Sequence, residues 1–219
     1  MPLIKSLFTI FMLVYLSACV FNKNITPRKK DTNTSSSYAY LGTLSPAQEI
    51  VKKELIDYLK DIEAFNIDSI VEKTYPKLFQ VINEQHFREY ISTMMNSKDI
   101  MVEHYDTNIT HLSKVKAFSN GTQFCQVDYS SNAKISLLNN NLYKSEESMN
   151  YLYDVLIHKY GRENILFNVK ERSITIKRKE KLIVIKEKDE PWKFIGDNLD
   201  YRRVYDKILP REILSNLDK

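Results

Sequence analysis

The sequence KVKAFSNGTQFCQVDYSSNAKISLL, residues 114–138, decides the fold of this chain. The dipeptide Asn120-Gly121 strongly favours a tight turn between two β-strands, because both residues accept positive φ angles. β-Branched and aromatic residues, which favour strands, occur on both sides of this turn. The segment therefore predicts an antiparallel hairpin whose arms are residues 114–118 and 122–138.

The longer arm of this hairpin has two faces, because side chains alternate along a strand. Its apolar face carries Cys125, Val127 and Tyr129. We expect this face to lie in the core, with Cys125 as a buried free thiol that acts as a small hydrophobic residue. Asp128 beside Tyr129 is the pair that an acid–base enzyme would use. Alternation sends the two to opposite faces, so Asp128 is predicted to face water.

Three helices are predicted before the hairpin. The first begins at the N-cap Ser45, which is followed by proline at N1 and a capping-box glutamine at N3, and it runs to about Glu63. Asn66 caps a second, short helix that Pro76 ends. Asn83 begins a third helix, with apolar residues on one face.

Further strands surround the hairpin, and one helix interrupts them. Residues 100–112 favour a strand, and Ser145 to Gly161 indicate a helix. Strand signals resume at residues 165–169, 173–177, 182–186 and 192–195. The charged run from Lys177 to Lys181 falls between two of these, so we interpret it as a hairpin tip that keeps the sheet edge soluble.

The predicted elements, with a helical tail at residues 201–217 broken at Pro210, make an α+β domain. Their order resembles the NTF2-like (SnoaL-like) cone, in which N-terminal helices pack on a curved antiparallel sheet. The resemblance covers Ser45 to Ile195. It is carried by residues 54–62, residues 66–71, Tyr75-Pro76 and Pro191-Trp192-Lys193-Phe194-Ile195. The segment from Ile208 to Ile213 resembles the tails of uncharacterised lipoproteins from Bacteroidetes. The resemblance implies a pocket between helices and sheet.

The first residues of the chain indicate an export signal. Lys5 precedes an apolar run that is shorter than the ~20 residues needed to span a bilayer. The motif Leu16-Ser17-Ala18-Cys19 follows it and resembles the lipobox of bacterial lipoproteins, in which the cysteine is acylated. We therefore expect a signal peptide at residues 1–18 and a lipid anchor, palmitate included, on Cys19. The alternative is an uncleaved N-terminal membrane anchor.

A polar stretch separates Cys19 from the predicted domain. Residues 19–44 carry the lipidated cysteine and then many Asn, Thr, Ser and Lys residues without apolar periodicity, so we expect a flexible tether. The folded domain is expected at residues 45–219. No acidic residue follows Cys19 directly. This absence favours a position on the periplasmic side of a bacterial membrane.

Composition narrows the classes of function. The formal net charge is +4 and acids are interleaved with bases, which disfavours nucleic-acid binding. The 4 Gly and 4 His residues form neither a phosphate-binding loop nor a pair at metal-ligand spacing. There is also no G-x-S-x-G elbow. We therefore expect no catalytic residues, no metal and no cofactor.

We interpret the chain as a non-enzymatic cell-envelope lipoprotein whose cone binds an apolar small molecule or a partner protein. Four aromatic residues are the candidate pocket lining: Tyr58, Tyr90, Tyr129 and Trp192. One alternative is an isomerase- or dehydratase-type enzyme of the NTF2-like class, which needs an acid and a Tyr or His within hydrogen-bond reach. Another is a structural envelope protein that forms a homodimer through its open sheet face.

Overall fold

The computed structural model describes residues 42–139, 141, 145–197 and 199–217. The predicted signal peptide, Cys19 and the tether up to residue 41 lie outside these described residues, and their assignments stay predictions. The described part is a mixed helix-and-sheet structure with an open antiparallel sheet of six strands. None of its helices is long and apolar enough to cross a bilayer.

The α-helices and 3₁₀ segments follow the predicted order. The α-helices are α1 (Pro46–Ala64), α2 (Ile67–Lys73), α3 (Glu84–Asn96), α4 (Glu146–Tyr160) and α5 (Arg211–Leu214). The 3₁₀ segments are Pro76–Gln80, Arg162–Asn164 and Leu199–Lys207. The three predicted caps are confirmed: Ser45 begins α1 with a complete capping box, and Asn66 and Asn83 begin α2 and α3. The predicted break at Pro210 is the N-cap of α5.

The strands are β1 (Ile100–Leu112), β2 (Lys116–Ala117), β3 (Thr122–Leu137), β4 (Ile165–Asn168), β5 (Ser173–Glu187) and β6 (Lys193–Gly196). Their order is β1-β3-β5-β4, while β2 also pairs with β3 and β6 with β5. All of these pairings are antiparallel. The long strands β3 and β5 pair from Thr122 opposite Glu187 to Ser136 opposite Ser173 and form the centre of the sheet.

The predicted hairpin is confirmed, with a shorter first arm than expected. Gly121 has a φ angle of +83° and donates its N–H to the carbonyl of Phe118 at 3.0 Å. The second arm is β3, and its partner β2 contains only Lys116–Ala117. The first arm is short because the chain leaves the ladder at Val115, whose side chain packs against the core instead.

The interpretation of Lys177 to Lys181 as a hairpin tip is wrong. These residues lie in the middle of β5, which runs without interruption through the two segments that were expected to be separate strands. The run remains in the sheet because β3 supplies a partner for every residue of it. Its lysines are exposed, whereas Arg178 and Glu180 alternate to the other face and contact each other.

Both faces of the sheet are partly covered. The inner face, beneath the helices, carries two apolar clusters. One packs α1, α2 and α3 on Cys125, Val127, Leu182 and Val184. The other packs α4 on Ile165, Ile174 and Ile176. On the outer face, C-terminal residues Tyr205, Ile208, Leu209 and Ile213 cover Phe124, Ile183 and Ile185.

Candidate functional site

A polar step interrupts the inner face between its two apolar clusters. Along the central strand pair, Tyr129 lies opposite Glu180 and Ser131 lies opposite Arg178. The pairs on either side are apolar, as in the pair Val127 and Leu182. Residues that are opposite in an antiparallel pair have Cβ atoms about 5 Å apart. The register therefore places a phenol, a carboxylate, a hydroxyl and a guanidinium side by side under the helices.

A bulge in β1 adds further polar groups to this step. Asp106 has a φ angle of +52°, and the pairing with β3 shifts register between Tyr105 and Asn108. Such a bulge re-aims neighbouring side chains. Thr107 is 2% exposed, and its hydroxyl donates a hydrogen bond to Glu63 of α1 at 2.5 Å. The bulge thus joins the end of the first helix to the edge of the sheet.

A small cavity of about 30 Å³ lies at this junction. Its lining comes from α1, β1, β3 and β5: Leu59, Ile62, Glu63, His104, Thr107, Tyr129, Ser131 and Arg178. A water molecule needs about 10–15 Å³ of such space, whereas pockets for drug-sized ligands measure roughly 300–1,000 Å³. The cavity therefore has room for water or a very small ion, but not for an organic ligand of ordinary size.

Arg178 is the charged centre of the polar step. Its guanidinium forms an ion pair with Glu180, while its Nε atom is buried without a hydrogen-bond partner. Burial acts to lower the pKa of Arg178, but Glu180 together with the phenols of Tyr129 and Tyr160 outweighs burial, so the pKa is raised above its ordinary value. The side chain therefore stays cationic beneath the helices.

Tyr129 is a neutral phenol at this site. Burial raises its pKa well above the ordinary value, and the carboxylate of Glu180 raises it further, although Arg178 acts in the opposite direction. A phenol with a raised pKa can donate a hydrogen bond but does not act as a base near neutral pH. The arrangement therefore offers hydrogen-bond donors and a fixed positive charge.

The structure brings one of the four candidate aromatic residues to the cavity, namely Tyr129. Tyr58 lies in the core, where its ring stacks on Phe194 at a centroid distance of 4.4 Å, and burial raises its pKa to about 12. Trp192 is 8% exposed in the same cluster. Tyr90 packs against this cluster from α3.

Other residues singled out in the sequence lie away from the cavity. Asp128 points to the outer face, where its carboxylate lies 3.7 Å from the ammonium group of Lys181. Cys125 is fully buried, and burial raises the pKa of its thiol to about 12, so it is an inert core residue. Within the described part of the chain, no three His, Cys, Asp or Glu residues are grouped so that they could hold a metal ion.

Sequence reasoning missed Arg178 and Glu180 as inward-facing residues. Even-numbered positions of β5 share the inner face, which reads Ile174, Ile176, Arg178, Glu180, Leu182 and Val184. Every second residue of β5 is apolar except for Arg178 and Glu180. These two charged residues in an otherwise apolar alternation are the signal that marks this site. The signal is visible only if residues 173–187 are recognised as a single strand.

No protein-family model matches the chain, and a search of curated proteins finds no significant match.

Proposed function

We propose that the chain is a bacterial lipoprotein, anchored through Cys19 on the periplasmic side of the cell envelope, whose domain binds a partner protein without catalysing a reaction. The motif Leu16-Ser17-Ala18-Cys19 after an apolar run supports the anchor. The polar stretch before Ser45 supports a flexible tether between the lipid anchor and the domain.

The close packing between the helices and the sheet supports binding through the surface of the domain. The cavity there is about 30 Å³, and the ring of Tyr58 lies stacked on Phe194 above the sheet. At this site the described residues leave no room for a ligand of ordinary size, which favours binding through the surface. A partner protein therefore fits the geometry better than an apolar small molecule does.

The NTF2-like cone is part of this proposal. Support for it comes from the element order, with three helices before a hairpin-rich sheet, and from Trp192 and Phe194 packing at the closing strand. The inserted helix α4 and the tail across the outer face are additions to that plan.

An enzyme of the isomerase or dehydratase type is the second candidate. Glu63, His104 and Tyr129 line one cavity, which is the combination of an acid with a Tyr or His that such chemistry needs. The size of the cavity disfavours this candidate, since a substrate would have to displace the helix above it.

Native mass spectrometry of the full chain purified from membranes tests the proposal. We expect one species whose mass exceeds that of residues 19–219 by the mass of the lipid on Cys19, with no second small molecule bound. A stoichiometric adduct that survives delipidation and is lost on replacing Tyr129 with Ala would favour the ligand or enzyme candidates. The absence of any lipid mass would contradict the anchor.

A further inference from the structure

The half of the outer sheet face that the C-terminal segment leaves uncovered combines lysines with exposed aliphatic side chains. We name this region the outer patch and define it by Lys134, Leu166, Lys177 and Lys179 on the sheet face, with Val169 in the turn at the end of β4. Across the sheet, Lys134 lies opposite Thr175, and Thr175 lies opposite Leu166. Lys177 and Lys179 follow Thr175 on the same face, because alternate residues of a strand share a face.

The aliphatic side chains of the outer patch are exposed to an unusual degree. Leu166 is 57% exposed on strand β4, and Val169 is 67% exposed in the turn that follows. Phe167, between them, points inward and stacks on Tyr153 of α4. Neighbouring exposed apolar residues with a charged rim mark contact surfaces more often than single ones do.

The charge of the outer patch is positive. Lys177 and Lys179 lie opposite the uncharged residues Asn132 and Ser130, and neither forms an ion pair with a described residue. Lys134 contacts Glu171 at 3.2 Å, which offsets one of the three charges. Two lysines therefore remain without an ion pair among the described residues, beside Leu166 on the same face and close to Val169 in the adjoining turn. The nearest acid shown on this side is Asp106, whose carboxylate accepts a hydrogen bond from Asn132 at 3.0 Å.

We propose that the outer patch docks the domain on an anionic lipid surface. Lysines attract anionic headgroups, and neighbouring aliphatic side chains enter the boundary between headgroups and acyl chains. The inference rests on the proposed anchor. If residues 20–44 form the proposed flexible tether, its root-mean-square span would be roughly 28 Å. Such a tether lets the domain reach the bilayer and gives a weak contact a high effective concentration.

Depth-dependent fluorescence quenching tests this docking with the full, lipidated chain in vesicles. A fluorophore is attached to Val169→Cys, and Ile50→Cys serves as the matched control, because Ile50 is similarly exposed at 59% on α1, at the helix-covered face. Cys125 is buried and Cys19 carries lipid, so neither takes the label. The vesicles are phosphatidylcholine with or without phosphatidylglycerol, and they contain a brominated lipid as quencher.

We expect quenching at residue 169 in the anionic vesicles, much less in the neutral ones, and little at residue 50 in either. Added salt should weaken the quenching at residue 169, since it screens exposed charges.

Lys177→Glu combined with Lys179→Glu should lower the docked fraction by about tenfold or more. The control pair Lys53→Glu with Lys114→Glu reverses two exposed lysines outside the patch and should leave the docked fraction unchanged. Circular dichroism melting verifies that each variant is folded.

Equal quenching at both sites, or quenching that is independent of phosphatidylglycerol, would overturn the docking. Shielding of residue 169 from a water-soluble quencher without quenching by the brominated lipid would assign the patch to a protein contact instead. Failure of the anchor is recognised separately, because the protein then no longer floats with the vesicles.

Discussion

At the scale of single residues, polar contacts fix how the first two helices meet. Asp61 near the end of α1 accepts hydrogen bonds from Ser69 at 2.5 Å and from the ammonium group of Lys73 at 2.6 Å, both on α2. It also accepts one from Asn66, the cap between the helices, at 3.2 Å. One carboxylate therefore links the end of α1 to its cap residue Asn66 and to α2.

Replacing Asp61 with Asn should lower the free energy of unfolding at pH 7 by about 2 kcal/mol, because charge-assisted hydrogen bonds are lost. Burial acts to raise the pKa of Asp61, but the bonds from Lys73 and Ser69 outweigh it and hold the pKa below 3.8. A depressed folded-state pKa stabilises the protein above pH 3.8 and loses that contribution as the pH falls through the folded value.

Urea titrations at pH 7 and at pH 3 measure both effects. The Asn variant should lose less stability between the two pH values than the natural chain does. Asp57→Asn is the control, since Asp57 is 52% exposed and lies 4.0 Å from Lys60. It should change the free energy of unfolding by no more than about 0.5 kcal/mol. An equal effect of both substitutions would contradict the role of Asp61.

Arg178 and Glu180 should be strongly coupled in stability. Arg178 and Glu180 are each about 30% exposed, although the Nε atom of Arg178 is buried. Glu180→Leu alone leaves this partly buried guanidinium without its partner and should cost about 2 kcal/mol. Arg178→Leu with Glu180→Leu joins two apolar clusters and should be near neutral or stabilising. A double-mutant cycle by urea denaturation measures the coupling. Additive single effects would show that the pair does not act as a unit in the polar step.

At the scale of elements, helix starts could be predicted from the sequence, but the length of β5 could not. Caps such as Ser45 and Asn83 are local signals, read from the residue and its next three neighbours. The run from Lys177 to Lys181 is polar and resembles a turn when read locally. It stays in the sheet because β3, a strand roughly fifty residues earlier, supplies its partners. The cavity was missed for the same reason, since its walls come from four elements.

Gln48 connects the start of α1 to the end of β1, beyond its role in the capping box. Its amide nitrogen donates to the carbonyls of Leu112 at 3.0 Å and Ser113 at 3.2 Å, while its oxygen accepts from the Ser45 N–H at 3.0 Å. The side chain is 8% exposed.

Gln48→Ala should therefore lower the free energy of unfolding by about 2 kcal/mol, because buried carbonyls lose their donors. Ser45→Ala removes only the cap and should cost about 1 kcal/mol. Gln48→Glu keeps the cap acceptor without the amide donors and should resemble Gln48→Ala. Thermal unfolding of the three variants distinguishes these values, and a Gln48→Glu variant as stable as the natural chain would show that the contact with β1 contributes nothing.

At the scale of the whole molecule, different elements cover the two faces of the sheet. Helices cover its inner face, while a short C-terminal segment covers one half of its outer face. Ile213 of that segment is fully buried. The tail is therefore a structural part of the domain, and the outer patch lies on the part of the outer face that the tail leaves uncovered.

Ile213→Ala should destabilise the domain by about 3 kcal/mol, the usual cost of removing a fully buried aliphatic side chain. Ile50→Ala on the exposed surface of α1 should change stability by less than about 0.5 kcal/mol. Urea denaturation compares the two. A small effect at Ile213 would indicate that the tail leaves the sheet in solution.

The proposed anchor at Cys19 is the central claim, because it would determine where the domain works and what it can bind. Metabolic labelling of expressing cells with a palmitate analogue, followed by membrane fractionation, tests it most directly. We predict that the natural chain and Cys125→Ala are labelled and sediment with membranes, whereas Cys19→Ala is unlabelled. A Cys19→Ala chain that still takes up the label and still sediments with membranes as the natural chain does would contradict the account.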